Sequence, residues 1–167
     1  MRYMKPLARL LLSVGGIGFL PKGSWMTATV AGFLLPWFFA ASPVPFALRA
    51  AVFLAAIPIL LLTGRWAIPL VRAGKKHDHE WIVLDEVLGV IIAASPFLFF
   101  PQDAVHPLVA GVVTTGVFGF FDGFKPLGIQ RIDDAEHIPI TVMLDDVVAG
   151  VYAAGVIFVG QWIAGIW

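Results

Sequence analysis

Cysteine is absent from the 167 residues. That excludes disulfides, thiolate nucleophiles and cysteine-held metals. Charge is scarce as well. Asp, Glu, Lys and Arg make up 13% of the chain and cancel to a net charge of zero, against about 25% charged residues in an ordinary soluble domain. A chain with no net positive charge has no overall attraction for nucleic acid, and none is expected as a partner. The basic start at Arg2, Lys5 and Arg9 precedes an apolar stretch, but there is no clean small-x-small cleavage site before Lys22, so a typical cleaved leader is not expected.

What remains is apolar. Hydrophobic residues are 59% of the sequence, and the mean hydropathy is +0.90. The expected fold class is all-α, a polytopic membrane helical bundle in a single domain over residues 1–167. Leu10–Leu20 is too short to cross a hydrocarbon core, which takes roughly 20 helical residues. It is expected to be re-entrant or interfacial. About five spans follow, near Trp25–Ala41, Phe46–Thr63, the run from Asp85-Glu86 to Pro101, Leu108–Phe121 and Val147–Ile166.

The charges cluster between these runs. Residues 64–86 and 122–146 hold most of them. If the spans alternate, Lys22 and both polar segments lie on one face, and a re-entrant N-terminus adds Arg2, Lys5 and Arg9. That face holds every Lys and Arg except Arg49 and every acid except Asp103. The positive-inside tendency makes it cytoplasmic. Span centres without ionisable residues point to chemistry at the membrane surface on a lipid substrate. A divalent-cation transporter, the alternative, more often places acids near the midplane.

Two acid pairs organise the chain. Asp85-Glu86 and Asp145-Asp146 each open a long apolar run, each is followed about a turn later by a small residue, Gly89 or Ala149-Gly150, and Asp122 closes a third run. Acids at a helix start complement the macrodipole, at about 0.3–1 kcal/mol each. That purpose does not require repetition with small residues behind it. A hard cation such as Mg²⁺ takes oxygen ligands, so carboxylates from separate helix ends suit it, and small residues would let those helices approach closely. Lys125 is either a snorkelling interfacial lysine or a contact for a substrate phosphate. His77, Asp78 and His79, with no further His or Cys nearby, make a poor zinc set. Asp78, His79 and Asp133 are candidates for orienting the carboxylates.

The runs H-D-H-E-W-I-V-L-D-E-V-L-G, F-D-G-F-K-P-L-G-I and V-M-L-D-D-V-V-A-G resemble, in order and spacing, the three motifs of the phosphatidylglycerophosphatase A family across Asp78 to Gly150. The resemblance implies a Mg²⁺-dependent phosphatase of the bacterial inner membrane, multi-pass, with its site on the cytoplasmic face. Its substrate would be a phospholipid in the bilayer: it would hydrolyse the phosphomonoester of phosphatidylglycerophosphate to phosphatidylglycerol. The family's acidic positions fall on Asp78, Asp85, Glu86, Asp122, Asp145 and Asp146, with Lys125-Pro126 in the middle motif. On this reading Asp85, Asp122, Asp145 and Asp146 hold the metal, Glu86 is a base or orienting acid, and Lys125 and Ser24 contact phosphate. The N-terminal motif, P-G-T-x-G-S in the family, is Lys22-Gly23-Ser24-Trp25-Met26-Thr27 here. It keeps two hydroxyls and lacks a Pro and a Gly.

Overall fold

The computed structural model describes residues 4–72, 80–98, 105–134 and 140–166. Among these residues there is no strand, and the architecture is an all-α bundle. The helices are α1 (Met4–Leu12), α2 (Ser24–Ala40), α3 (Phe46–Arg72), α4 (Leu84–Ala93), α5 (Pro107–Phe124), α6 (Ile129–Asp133) and α7 (Thr141–Ile163), with short 3-10 turns at Ile17–Phe19 and Ser95–Leu98.

Helix is the only open-edged structure that satisfies its own backbone in lipid, and these segments are apolar on their outer faces as well. Leu54, Leu62, Leu108, Val112 and Ile163 are among the many large side chains that point outward. Among the described residues three helices are long and apolar enough to cross a membrane: Phe46–Val71, Pro107–Phe124 and Thr141–Ile163. α2, with 17 residues, is about 25 Å long, and α4, with 10 residues, about 15 Å, so neither reaches the ~30 Å of a hydrocarbon core as a straight helix. Each of the expected five runs contains helix, and among the described residues three of them have full spanning length. α3 also continues well past Thr63, through Gly64 and Arg65 to Arg72.

α4 is the centre of the bundle. Every residue of it except Glu86 is buried, and it packs chiefly on α7 and α2, with α3 and α5 beside it. Apolar burial provides little drive between helices already in lipid, so close packing has to hold them together. Glycine supplies it. A Cβ built on Gly89 would lie 2.8 Å from the Asp146 carbonyl oxygen, and one on Gly150 would press into the Gly89 carbonyl. Small residues one turn after each acid pair thus bring the two acid-bearing helices into backbone contact, as expected from the sequence. At the other end of α4, Phe33, Trp37 and Phe97 pack as an aromatic cluster, with Trp37 and Phe97 centroids 5.5 Å apart.

The N-terminal segment does not span. α1 is amphipathic, burying Ala8 and Leu12 against the bundle while Leu7, Leu10 and Leu11 stay exposed. Gly15 and Gly16, both at positive φ, reverse the chain after it. The Val83 amide then donates to the Leu12 carbonyl at 3.0 Å, tying the segment to the start of α4.

Candidate carboxylate site

Four helices bring polar side chains to one end of the bundle. α4 contributes Asp85 and Glu86 in its first turn. α7 contributes Asp145 and Asp146, which lie in its second turn because the helix begins at Thr141 rather than Val147. α5 contributes Asp122 in its last turn, and α2 begins at Ser24.

These positions bear on why the acids are there. The macrodipole favours negative charge only in the first turn of a helix. It accounts for Asp85 and Glu86, loses force for Asp145 and Asp146, and has the wrong sign for Asp122 at a C-terminus. Asp85, Asp145 and Asp146 are nonetheless buried. Buried carboxylates of like sign, brought together from three helices, call for a compensating cation.

Two overlapping donor sets meet that need. Asp85, Glu86 and Asp146 each offer a carboxylate oxygen within 4.8 Å of the others, and so do Asp122, Asp145 and Asp146. Asp146 belongs to both. Lys125 meets the cluster as well, with its Nζ 2.6 Å from Asp145 Oδ2. It closes α5 in the left-handed conformation, φ 46°, a position usually held by glycine. The backbone turn directs this lysine inward to Asp145, so the interfacial snorkelling alternative does not describe its placement.

Glu86 is distinct from the others. Its Oε2 is buried with no hydrogen-bond partner. Its pKa is pushed from 4.5 to about 7, first by burial, with the charges of Asp146 and Asp122 adding to the rise and hydrogen bonding to Asp85 opposing it. Asp85 Oδ1 also accepts the Glu86 backbone N–H at 3.1 Å.

The cluster opens into a cavity of about 840 Å³ lined by Asp85, Glu86, Asp122, Ser24, Lys22 and Glu80, among others. Ser24 is at its wall, with its hydroxyl donating to the Glu80 carbonyl at 3.3 Å. That bond ties the start of α2 to the segment entering α4. Lys125 does not line this cavity. Phe19 and Trp81 do, stacked with centroids 5.3 Å apart. The sequence reading passed over this aromatic wall. Its one local signal is a Trp placed between a charged segment and an apolar run, where interfacial anchors sit. Asp78 and His79 lie outside the described residues, and Asp133 is the last residue of α6.

Comparison with known proteins identifies the family. The family profile described as Phosphatidylglycerophosphatase A matches residues 10–161. The chain is 37% identical over 92 residues to the Phosphatidylglycerophosphatase A of Escherichia coli (strain K12), covering 54% of this chain and 50% of that protein. It is 35% identical over 88 residues to the protein of the same name from Haemophilus influenzae, covering 52% and 49%. The match thus spans about half the length of these two relatives. A Bacteroides thetaiotaomicron protein, provisionally named a phosphatidylinositol-3-phosphatase, is 32% identical over 112 residues, covering 66% of this chain and 67% of its own. No solved structure matches the chain. With the profile extending over nearly all of its length, and the three acid-bearing motifs meeting at one end of the bundle, the chain belongs to the phosphatidylglycerophosphatase A family.

Proposed function

We propose that the chain is a membrane-embedded lipid phosphatase that hydrolyses the phosphomonoester of phosphatidylglycerophosphate, releasing inorganic phosphate and phosphatidylglycerol for phospholipid synthesis. The observation that carries this reading is the convergence of Asp85, Glu86, Asp122, Asp145 and Asp146 from three helices beside one open cavity. The acids sit at one end of the bundle instead of along it, which favours surface chemistry over an ion path.

The residues fit a divalent cation. All the donors are carboxylate oxygens, the set suited to Mg²⁺, and Glu86 Oε2 is buried without a partner. Asp146 with either Asp85 and Glu86 or Asp122 and Asp145 would hold it. When bound, the cation would neutralise phosphate oxygens and acidify a coordinated water.

The chain's own groups supply the rest. Glu86, at the cavity wall with its Oε2 unpaired, is positioned to act as the general base when the cation is held by the other acids. Its carboxylate takes a proton from water as the water oxygen bonds to phosphorus. The bond from phosphorus to the glycerol oxygen breaks, and that oxygen leaves as the alcohol, taking a proton from solvent while Glu86 returns its own to solvent. Lys125, anchored on Asp145, adds fixed positive charge at the cluster, and Ser24 at the cavity wall would donate to a phosphate oxygen by turning its hydroxyl from the Glu80 carbonyl. The preponderance of Lys and Arg in the sequence segments that carry the acids supports a site facing the cytoplasm, at the inner membrane.

The test is release of inorganic phosphate from phosphatidylglycerophosphate in detergent, with and without Mg²⁺, for wild type, Asp85→Asn and Asp145→Asn. Loss of release in both folded variants supports the reading. Wild-type protein inert on this lipid refutes it. Phosphatidylinositol 3-phosphate belongs in the same panel, because the name of the Bacteroides relative points to that headgroup.

A further inference from the structure

Beside the carboxylate cavity lies a second one of about 560 Å³, lined by Lys5, Pro6, Arg9, Leu10 and Phe19. Lys5 and Arg9 are four residues apart on α1, so they share a face. Both are exposed, and among the described residues neither has an ion-pair partner. Phe19 lines both cavities. An acidic pocket and a basic pocket therefore meet at one aromatic wall, braced by Trp81. Lys22, on the acidic side of that wall, adds a third cation. The exposed leucines Leu7, Leu10 and Leu11 put α1 at the level of lipid.

We propose that Lys5 and Arg9 form a second anion subsite that holds the phosphodiester of the lipid headgroup while the phosphomonoester lies at the carboxylate cluster. The inference rests on the proposed function and adds a source of specificity to it. Phosphatidylglycerophosphate and phosphatidylinositol 3-phosphate each carry one phosphomonoester and one phosphodiester in the same head. Phosphatidic acid carries the monoester alone. The phosphodiester is singly charged and attached to the diacylglycerol, so a site for it needs cations beside an apolar surface. Lys5 and Arg9 with Pro6, Leu10 and Phe19 provide that combination. With a divalent cation in the carboxylate cluster, the more highly charged monoester is the stronger ligand there, which leaves the diester for Lys5 and Arg9.

The experiment compares wild type with the Lys5→Gln/Arg9→Gln double variant in mixed micelles of fixed anionic content. Values of kcat/KM are measured on phosphatidylglycerophosphate and on phosphatidic acid of the same acyl chains. Each basic residue at a membrane surface contributes roughly fivefold in affinity. The preference for the two-phosphate lipid is expected to fall roughly 10- to 30-fold, mainly through KM. An unchanged preference overturns the proposal, whether neither substrate is affected or both fall together, the latter meaning that α1 only draws the protein to anionic surfaces. A second arm does not depend on turnover. Native mass spectrometry counts phosphatidylglycerol against phosphatidylcholine retained from an equimolar mixture. Wild type retaining phosphatidylglycerol preferentially, with the preference lost in the double variant, supports the subsite. Equal preference in the two proteins overturns it. If wild type releases no phosphate from any lipid, the proposed function fails, and the retention arm still decides whether the anion subsite exists.

Discussion

Replacing Gly89 by alanine tests the packing that brings the acids together. In an unconstrained helix the change stabilises by up to about 1 kcal/mol, because glycine is the poorer helix former. Here the new methyl would lie 2.8 Å from the Asp146 carbonyl oxygen and 2.7 Å from Phe118 Cζ, whereas ordinary contact begins at 3.4 Å. Phe118 is itself fully buried and has little room to move. α4 and α7 must therefore part by about 0.6 Å, and the residue pushed is Asp146, which belongs to both carboxylate sets. Overpacking of this kind costs about 1–3 kcal/mol, which outweighs the propensity gain. Mg²⁺ demands near-ideal geometry at about 2.0–2.1 Å from each oxygen, so the displacement acts on activity more than on folding. Misplacement approaching 1 Å costs up to about 100-fold in rate. The expectation for Gly89→Ala is a 10- to 100-fold loss of Mg²⁺-dependent phosphate release, with a modest fall in Tm. Gly155→Ala is the control on α7, since a Cβ there meets nothing within 4 Å. Gly89→Ala matching Gly155→Ala in both activity and Tm would refute the close-approach argument.

Three further outcomes follow from the same geometry. Lys125→Met removes the 2.6 Å ion pair with Asp145 and should lower stability by about 1–3 kcal/mol, between the values for exposed and buried pairs. Added Mg²⁺ should narrow the Tm gap from wild type, and a gap indifferent to Mg²⁺ would contradict the cluster's need for positive charge. A Glu86 pKa raised to about 7 means that the metal-free fold holds this proton above the ordinary carboxylate range. Its stability should fall as pH rises from about 4.5 to 7, and Mg²⁺ affinity should rise over the upper part of that window, about fivefold from pH 6 to 7 as the proton leaves. Calorimetry across pH should show this in wild type and not in Glu86→Gln. Ser24→Ala loses one hydrogen bond to the Glu80 carbonyl and should cost about 1 kcal/mol in thermal unfolding. A loss above about 3 kcal/mol would mean that Ser24 holds more than that one bond.

Much of this arrangement was legible in the sequence, because acids beside apolar runs are costly enough to be noticed. The pairs Asp85-Glu86 and Asp145-Asp146, with glycine one turn on, announced both the cluster and the close approach of α4 and α7. The extent of α3 was not legible. Gly64 and Arg65 look like a break, but helix interiors tolerate a lone glycine, and Ala67 and Ile68 beyond them are fully buried. The start of α7 was misplaced for a related reason. Thr141, Val142 and Met143 are buried, so the helix begins before the acids and not at them. The partnership of Lys125 with Asp145 depends on a left-handed turn that no local pattern announces. The wall of Phe19 against Trp81 joins residues distant in sequence, and only the folded chain brings them together.

The central claim is that acids from α4, α5 and α7 form one divalent-cation site on which hydrolysis depends, with Asp146 common to both of its halves. The most direct measurement is Mg²⁺ binding by titration calorimetry to purified wild type and Asp146→Asn, with phosphate release from phosphatidylglycerophosphate recorded on the same samples. The account predicts that Asp146→Asn folds, since it removes a buried charge, and that it loses both binding and release. Wild-type Mg²⁺ affinity or wild-type phosphate release in Asp146→Asn would contradict it.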